Sequence, residues 1–290
     1  MQRRAFLVRT GGFMISVSGL GAARAARSAT DRVGMGTVIL RRRFEQKTLR
    51  LLDVPAYYRE RFAIGNLEFW SNHFESLEKP YLKELRARVK AARAELINVQ
   101  VDAAYDLAST NEEERQRSLE TARQWIDAAA LLGSRAVRIN PGRPNGSVEK
   151  SIASMKEVNR YCVSKRLPLL IENHFGLEMD PAVHLAIREG AGPKNVYTLP
   201  DFGNYPPDSM WDSLAKILPY AYVVSAKAVD FNEQGEHLSY DFDRCLQLCE
   251  RAGFKGIYLV EQWSRKDQAF DAEKIADWML ERVRKYTSAS

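Results

Sequence analysis

The chain of 290 residues is poor in several side chains that whole classes of fold and chemistry require. Cysteine occurs three times, an odd number, so a disulfide framework is excluded as the source of stability. Cys245 and Cys249 stand four apart on an expected helix and are expected to face the core. No glycine-rich phosphate turn follows an early strand. Gly11-Gly12 and Gly34-Met35-Gly36 lack the strand-turn-helix setting, which argues against an open doubly wound nucleotide-binding sheet. Beyond residue 30 there is no linker, internal repeat or low-complexity tract. No segment there approaches 18 uninterrupted apolar residues, so the mature chain is expected to be soluble.

The N-terminus carries a different signal. Arg3-Arg4-Ala5-Phe6-Leu7 is a twin-arginine pattern, followed by a weakly apolar, Gly-rich stretch from Gly11 to Ala22 and by small residues around Ala23-Arg24-Ala25. Residues 1–30 are read as a twin-arginine signal peptide and short leader, with 31–290 as one domain exported to the periplasm or secreted. The alternative is an ordinary basic arm. Losing the four arginines of residues 1–25 lowers the net charge from +6 to +2, so the basic balance is in part the signal and not a nucleic-acid footprint.

After the leader, apolar runs alternate with helical patterns. The runs fall at Val33–Leu40, Ile64–Trp70, Ala94–Val101, Arg135–Ile139, Pro168–Glu172, Val196–Asp201, Ala221–Ala226 and Gly256–Glu261. They are short and continuous, as expected of strands covered on both faces. Helix starts such as Asn111-Glu-Glu-Glu and stops such as Leu132-Gly133 and Ala252-Gly253 separate them. Eight strands alternating with eight helices imply parallel pairing through crossovers and a (β/α)8 TIM barrel. The basic run after the first strand, Arg41-Arg42-Arg43, is expected in a solvated loop, with contact to an anionic substrate as the alternative.

Three carboxylates, Glu172, Asp201 and Glu261, each end an apolar run, 29 and 60 residues apart. In a closed barrel these positions converge on the rim that carries the chemistry. Converging acids repel unless something positive lies between them, and a divalent metal is the expected candidate. His174 follows as ligand, proton carrier or sugar contact, or as a loop histidine bonded to backbone. Asp201 could equally cap a turn. Lys227 stands where it can polarise a carbonyl or stabilise an enediolate oxygen, or serve as a structural ion-pair partner. Asn204 suits a substrate hydroxyl and Trp263 offers a face for a sugar ring. Glu68, Trp70 and His73 near the second strand are pocket candidates, Trp70 equally a packing residue. Asp102, Asn140 and Arg143 are less certain contributors.

Ile-Glu-Asn-His at 171–174, Asp-Phe-Gly-Asn at 201–204, Ser-Ala-Lys at 225–227 and Tyr-Leu-Val-Glu at 258–261 resemble the xylose-isomerase-like barrel superfamily over roughly residues 31–286. That resemblance implies a divalent ion (Mn, Mg, Co or Zn) held by Glu, Asp, His and Glu of strands five to eight. Glu172, Asp201 and Glu261 match three of those, while Ser225 stands where the histidine is usual. It also implies that Glu172 and Glu261 form the acid/base pair, with Lys227 and His174 supporting an enediolate.

The leading expectation is a metal-dependent sugar isomerase or epimerase acting on a small sugar, with homo-oligomerisation open. A lyase or dehydratase on an oxidised (3-keto) sugar or glycoside uses the same carboxylates. The missing seventh-strand histidine leaves room for a barrel that binds sugar without turning it over. An endonuclease at abasic sites is disfavoured by the small number of histidines, four in all.

Overall fold

The structure is a computed structural model that describes residues 32–264 and 271–288. The twin-arginine leader expected at residues 1–30 lies outside the described residues.

Eight strands and their helices follow one another along the chain. Strand β1 (Val33–Gly36) leads through a 3-10 turn (Thr37–Leu40) into α1 (Arg41–Glu45) and α2 (Val54–Phe62). Then come β2 (Asn66–Trp70), α3 (Lys79–Ala91), β3 (Glu95–Val101), α4 (Glu112–Leu132), β4 (Ala136–Ile139) and α5 (Val148–Ser164). The second half is β5 (Leu169–Glu172), α6 (Pro181–Ala191), β6 (Val196–Leu199), α7 (Met210–Ile217), β7 (Val223–Ala228), α8 (Phe242–Arg251), β8 (Ile257–Gln262) and α9 (Ala272–Thr287). All ladders are parallel, in the order β6-β5-β4-β3-β2-β1-β8-β7. Parallel bridges Thr198–Ala221 and Asp201–Ser225 link β6 to β7 and complete the (β/α)8 ring.

Local signals set the element ends. Asn111 caps α4 by accepting from the Glu114 backbone N–H at 3.1 Å, and three glutamates occupy its first turn, where the helix dipole favours negative charge. The same helix stops at Gly133, whose φ of 76° is easy only for glycine. Asp271 caps α9 in the same manner through Glu273 and Lys274. Cys162, Cys245 and Cys249 are buried free thiols.

The core has two parts. A large cluster fills the space between the strands and the surrounding helices. A smaller one joins Ile97, Ala136, Leu170, Leu199, Val223 and Leu259. Strand side chains alternate between faces, so Arg138, Glu172, Ser225, Lys227 and Glu261 share the faces of these apolar residues further along β4, β5, β7 and β8. The barrel interior is therefore apolar below and charged above, with the charged layer at the C-terminal ends.

The first strand differs from expectation. Only Val33–Gly36 extends, and Thr37–Leu40 is a buried 3-10 turn. The basic run behind it is helical and not a solvated loop. Arg41 is buried, donates to the Gln262 carbonyl at 3.3 Å and lies 4.6 Å over the Trp263 ring, while Arg43 pairs with Glu273 at 2.9 Å. Arginine stems and guanidinium planes pack on apolar and aromatic surface while their donors still reach acceptors, which a reading by charge alone misses. Among the described residues no helix is long and apolar enough to cross a membrane.

Candidate active site at the C-terminal mouth of the barrel

The ladder between β7 and β8 makes Lys227 and Glu261 direct register partners. Their side chains leave the same face side by side, and the Lys227 ammonium sits 3.1 Å from Glu261 Oε1. It also donates to Asn204 Oδ1 at 3.0 Å and stands 3.6 Å from Asp201 Oδ2. Gly203 makes room for it: a Cβ there would lie 3.0 Å from Lys227 Cδ and 2.8 Å from Val229 Cγ2. The Tyr240 hydroxyl donates to the Lys227 carbonyl and fixes the strand end. Gln100 Nε2 approaches the other oxygen of Glu261 at 3.4 Å.

Glu172 has a different cation. Arg138 Nε lies 2.9 Å from its Oε2, and Nη1 of the same arginine donates to Asp102 Oδ1 at 2.6 Å. Asp102 also accepts from the Trp70 indole at 2.6 Å. Asn204 spans the two halves, its Nδ2 reaching Glu172 Oε1 at 3.5 Å and its Oδ1 accepting from Lys227. Glu68 lies near this layer, holding the Asn98 amide at 2.6 Å.

A cavity of about 550 Å³ opens over this layer. Its wall includes Trp70, Asp102, Arg138, His174, Lys227, Glu261 and Trp263. Trp70 and Trp263 meet edge to face, with ring centroids 5.9 Å apart. Asn204 lines a smaller recess beside Lys227 and Trp263. Glu172, Asp201 and Glu68 are buried and lie outside the cavity wall. Asp201 Oδ1 accepts from the Gly203 backbone N–H at 2.7 Å, the turn role that its position allowed. His73 stacks on Phe44 at 3.7 Å and lines a separate recess. Of the expected residues, Glu261, Lys227, His174, Trp70 and Trp263 therefore meet on one wall, and Glu172, Asp201, Glu68 and His73 do not reach it.

Charges and burial set the protonation states. Burial pushes Glu172 and Glu261 up, opposed by Arg138 and by Lys227 respectively. Glu68, buried near Glu261 with an amide partner, rises to about 8. Burial works against the Lys227 ammonium, but Asp201, Glu261 and Glu172 outweigh it and hold the lysine above its usual range. Arg138 is raised in the same way by Asp102 and Glu172. Burial alone would raise Asp102, yet Arg138 and its other neighbours hold it below the usual carboxylate range. Burial and then Arg138 lower His174 to about 3, so its imidazole is neutral.

These donors do not fit the divalent ion that the three acids suggested. Lys227 lies 3.1 Å from Glu261 and 3.6 Å from Asp201, and Arg138 lies 2.9 Å from Glu172, so each acid has a cation beside it, although Asp201 Oδ2, Glu172 Oε2 and the Ser225 hydroxyl are buried without a hydrogen-bond partner. Among the described residues no group of three or more His, Cys, Asp and Glu side chains is arranged to hold a metal. The positive charge that converging acids demand is present, and it belongs to two side chains.

Arg138 and Glu178 were missed by the sequence reading. An arginine inside the four-residue buried run Ala136-Val137-Arg138-Ile139 was the available signal, because such a position is held only with acid partners. Glu178 lines the cavity wall, accepts from the Gly176 N–H at 3.0 Å and is raised to about 7 by burial. It sits on a 3-10 turn that nothing in the sequence marked.

Known proteins share this arrangement of strands. L-ribulose-5-phosphate 3-epimerase UlaE of Escherichia coli O1:K1 / APEC is 24% identical over 202 residues, covering 62% of this chain and 69% of that protein. The solved structure of 3-keto-D-glucoside 4-epimerase, YcjR, from E. coli superposes with a TM-score of 0.64 at 14% identity, covering 88% of this chain and 99% of that one. A xylose isomerase-like TIM barrel protein from Mycobacterium smegmatis, solved in complex with magnesium, gives 0.64 at 15% identity over 90% and 99%. At such identities the structures speak for the fold alone. The sequence profile described as xylose isomerase-like TIM barrel matches residues 62–286, most of the chain. This chain belongs to the xylose isomerase-like TIM barrel family.

Proposed function

We propose that this protein is a sugar isomerase or epimerase that removes a proton from the carbon beside a carbonyl and passes through an enediolate. The observation that carries the reading is the Glu261–Lys227 pair, 3.1 Å apart on the wall of the cavity. An enediolate needs a base within reach of the C–H and a cation where the oxygen charge develops. Glu261 is the base. Its carboxylate takes the proton, the C–H pair becomes the carbon–carbon double bond, and the carbonyl π pair moves onto oxygen. Lys227 donates a hydrogen bond to that oxygen. The proton then returns to the neighbouring carbon, as the hydroxyl proton passes from that new carbonyl oxygen to the enediolate oxygen, or to the same carbon from the other face, which restores the original carbonyl. Trp70 and Trp263 supply apolar faces for the ring, and neutral His174 contacts a hydroxyl. A sequence relative named as a sugar-phosphate epimerase supports the class of reaction.

Glu172 was expected as the partner of Glu261. It lies behind Arg138 and Asn204 and holds those two residues. One carboxylate on the wall favours proton return along one face, which is aldose–ketose isomerisation. A reaction that inverts one carbon needs a second acid from the opposite face. Proton NMR in deuterated water tests the reading: ketoses incubated with the protein should gain deuterium beside the carbonyl, and Glu261→Gln should abolish the gain. Absence of exchange across a panel of ketoses and 3-keto glycosides would refute it.

A second reading has one observation in its favour. A cavity of about 550 Å³ lies within the size range that encloses drug-sized ligands, so a second ring has room. The same enolate could then expel an aglycone or water, which makes a lyase acting on a 3-keto glycoside. Release of aglycone in the NMR experiment separates the two. If the leader at residues 1–30 directs twin-arginine export, the substrate is a periplasmic sugar; Arg3-Arg4 changed to Lys-Lys should then keep the protein in the cytoplasm.

A further inference from the structure

We infer that this barrel works without a divalent metal, the Lys227 ammonium being the built-in cation of its reaction. The inference rests on the enediolate reading above and specifies what holds the oxygen charge. Four independent features keep the ammonium where it is. The β7–β8 register sets Lys227 opposite Glu261. Asn204 Oδ1 accepts from it at 3.0 Å. Gly203 leaves room for its stem, since a Cβ there would lie 3.0 Å from Lys227 Cδ. Tyr240 holds its backbone carbonyl.

The neighbouring acids already have cations beside them. Asp201 gives one oxygen to the Gly203 N–H, and its other oxygen, buried without a hydrogen-bond partner, has the ammonium 3.6 Å away. Arg138 occupies Glu172 from the opposite side. The seventh strand offers the Ser225 hydroxyl, a weak ligand, in place of an imidazole. A divalent ion entering here would share its oxygens with a fixed ammonium and meet like-charge repulsion in a dry interior.

The ammonium is also equipped for the reaction. It has three N–H groups. Asn204 and Glu261 take two, and Asp201 at 3.6 Å is beyond hydrogen-bonding distance. The third is left for a substrate oxygen in the cavity that Lys227 lines.

The test uses the full-length protein with Mn²⁺ as the probe. Calorimetric titration of the wild type should show no stoichiometric Mn²⁺ binding, Mn²⁺ should not raise its melting temperature, and EDTA should leave deuterium exchange unchanged. Stoichiometric binding, or exchange that EDTA abolishes and Mn²⁺ restores, would overturn the inference. Lys227→Met removes the competing charge and should slow exchange on the order of 100-fold while allowing Mn²⁺ to bind. Lys227→Arg keeps a cation there and should remain blind to Mn²⁺; binding by Lys227→Arg as tight as by Lys227→Met would count against it. The wild-type titration decides the cation question even if Lys227→Met fails to fold. Absence of exchange in the wild type would instead remove the enediolate reading, and the Mn²⁺ titration would still stand on its own.

Discussion

Two ion pairs of similar composition sit a few ångströms apart at the barrel mouth and do different work. Arg138–Glu172 has side chains 0% and 1% exposed at 2.9 Å; its arginine borders the cavity and spends further donors on Val101 and Asp102, while its carboxylate lies outside the wall. Lys227–Glu261 is 5% and 4% exposed at 3.1 Å, and both members face the cavity. A planar guanidinium with fixed donors suits a permanent brace, and a compact ammonium with rotatable donors suits a partner that changes. The comparison teaches that burial alone does not identify the reacting acid. Access to the cavity separates a carboxylate that holds the mouth together from one that can meet a substrate.

The largest expected effect comes from removing the fully buried guanidinium. Arg138→Met leaves Glu172 buried without its partner and should cost about 3–5 kcal/mol in urea unfolding. Lys227→Met, in a pair whose two members both border the cavity, should cost less; equal losses would erase the distinction. Next in size is activity. Glu261→Gln should slow deuterium exchange by roughly 10²–10⁴-fold while leaving the melting temperature near that of the wild type. Glu172→Gln should do the reverse, lowering the melting temperature with a smaller loss of exchange.

A third prediction uses Glu68, the buried acid whose direct partner is an amide and not a cation. Its folded value of about 8 exceeds the ordinary 4.5, so between those pH values the folded chain keeps a proton that the unfolded chain has released. Stability therefore falls as pH rises through this window, by about 1.4 kcal/mol per pH unit at most. Glu68→Gln should flatten that slope in unfolding experiments from pH 5 to 8. Buried His184, lowered to about 4, acts in the opposite sense: its contribution is lost as pH falls from 6.5 toward 4. The smallest effect belongs to Asp102, the 23%-exposed outer partner of Arg138. Asp102→Asn should cost on the order of 1 kcal/mol.

The order of strands and helices was legible in the sequence because each short apolar run is bracketed by caps, glycines and helical periodicity. The three strand-end acids were legible for the same reason, and their need for positive charge followed from electrostatics. What supplies that charge was not. The sequence does not announce that Lys227 and Glu261 face each other across a ladder, since 33 intervening residues and a helix hide the register match. Arg138 was more accessible to reasoning, as a charge in the middle of a buried run. The start of the barrel was misread because apolar character continues from Gly36 to Leu40 while the backbone changes from extended to helical. Arg41 escaped because it stands in a run of three arginines and its partners in space come from the other end of the chain.

The tyrosine that holds the Lys227 carbonyl has its own support. Tyr240 stands edge-on to His237 at 4.7 Å, and His237 and Phe242 pack against Trp278 of α9 at 5.9 and 5.2 Å. The end of β7 is thereby tethered to α9, a helix that contributes no residue to the cavity wall. A substitution at Trp278 can therefore loosen the seat of the ammonium without touching the cavity.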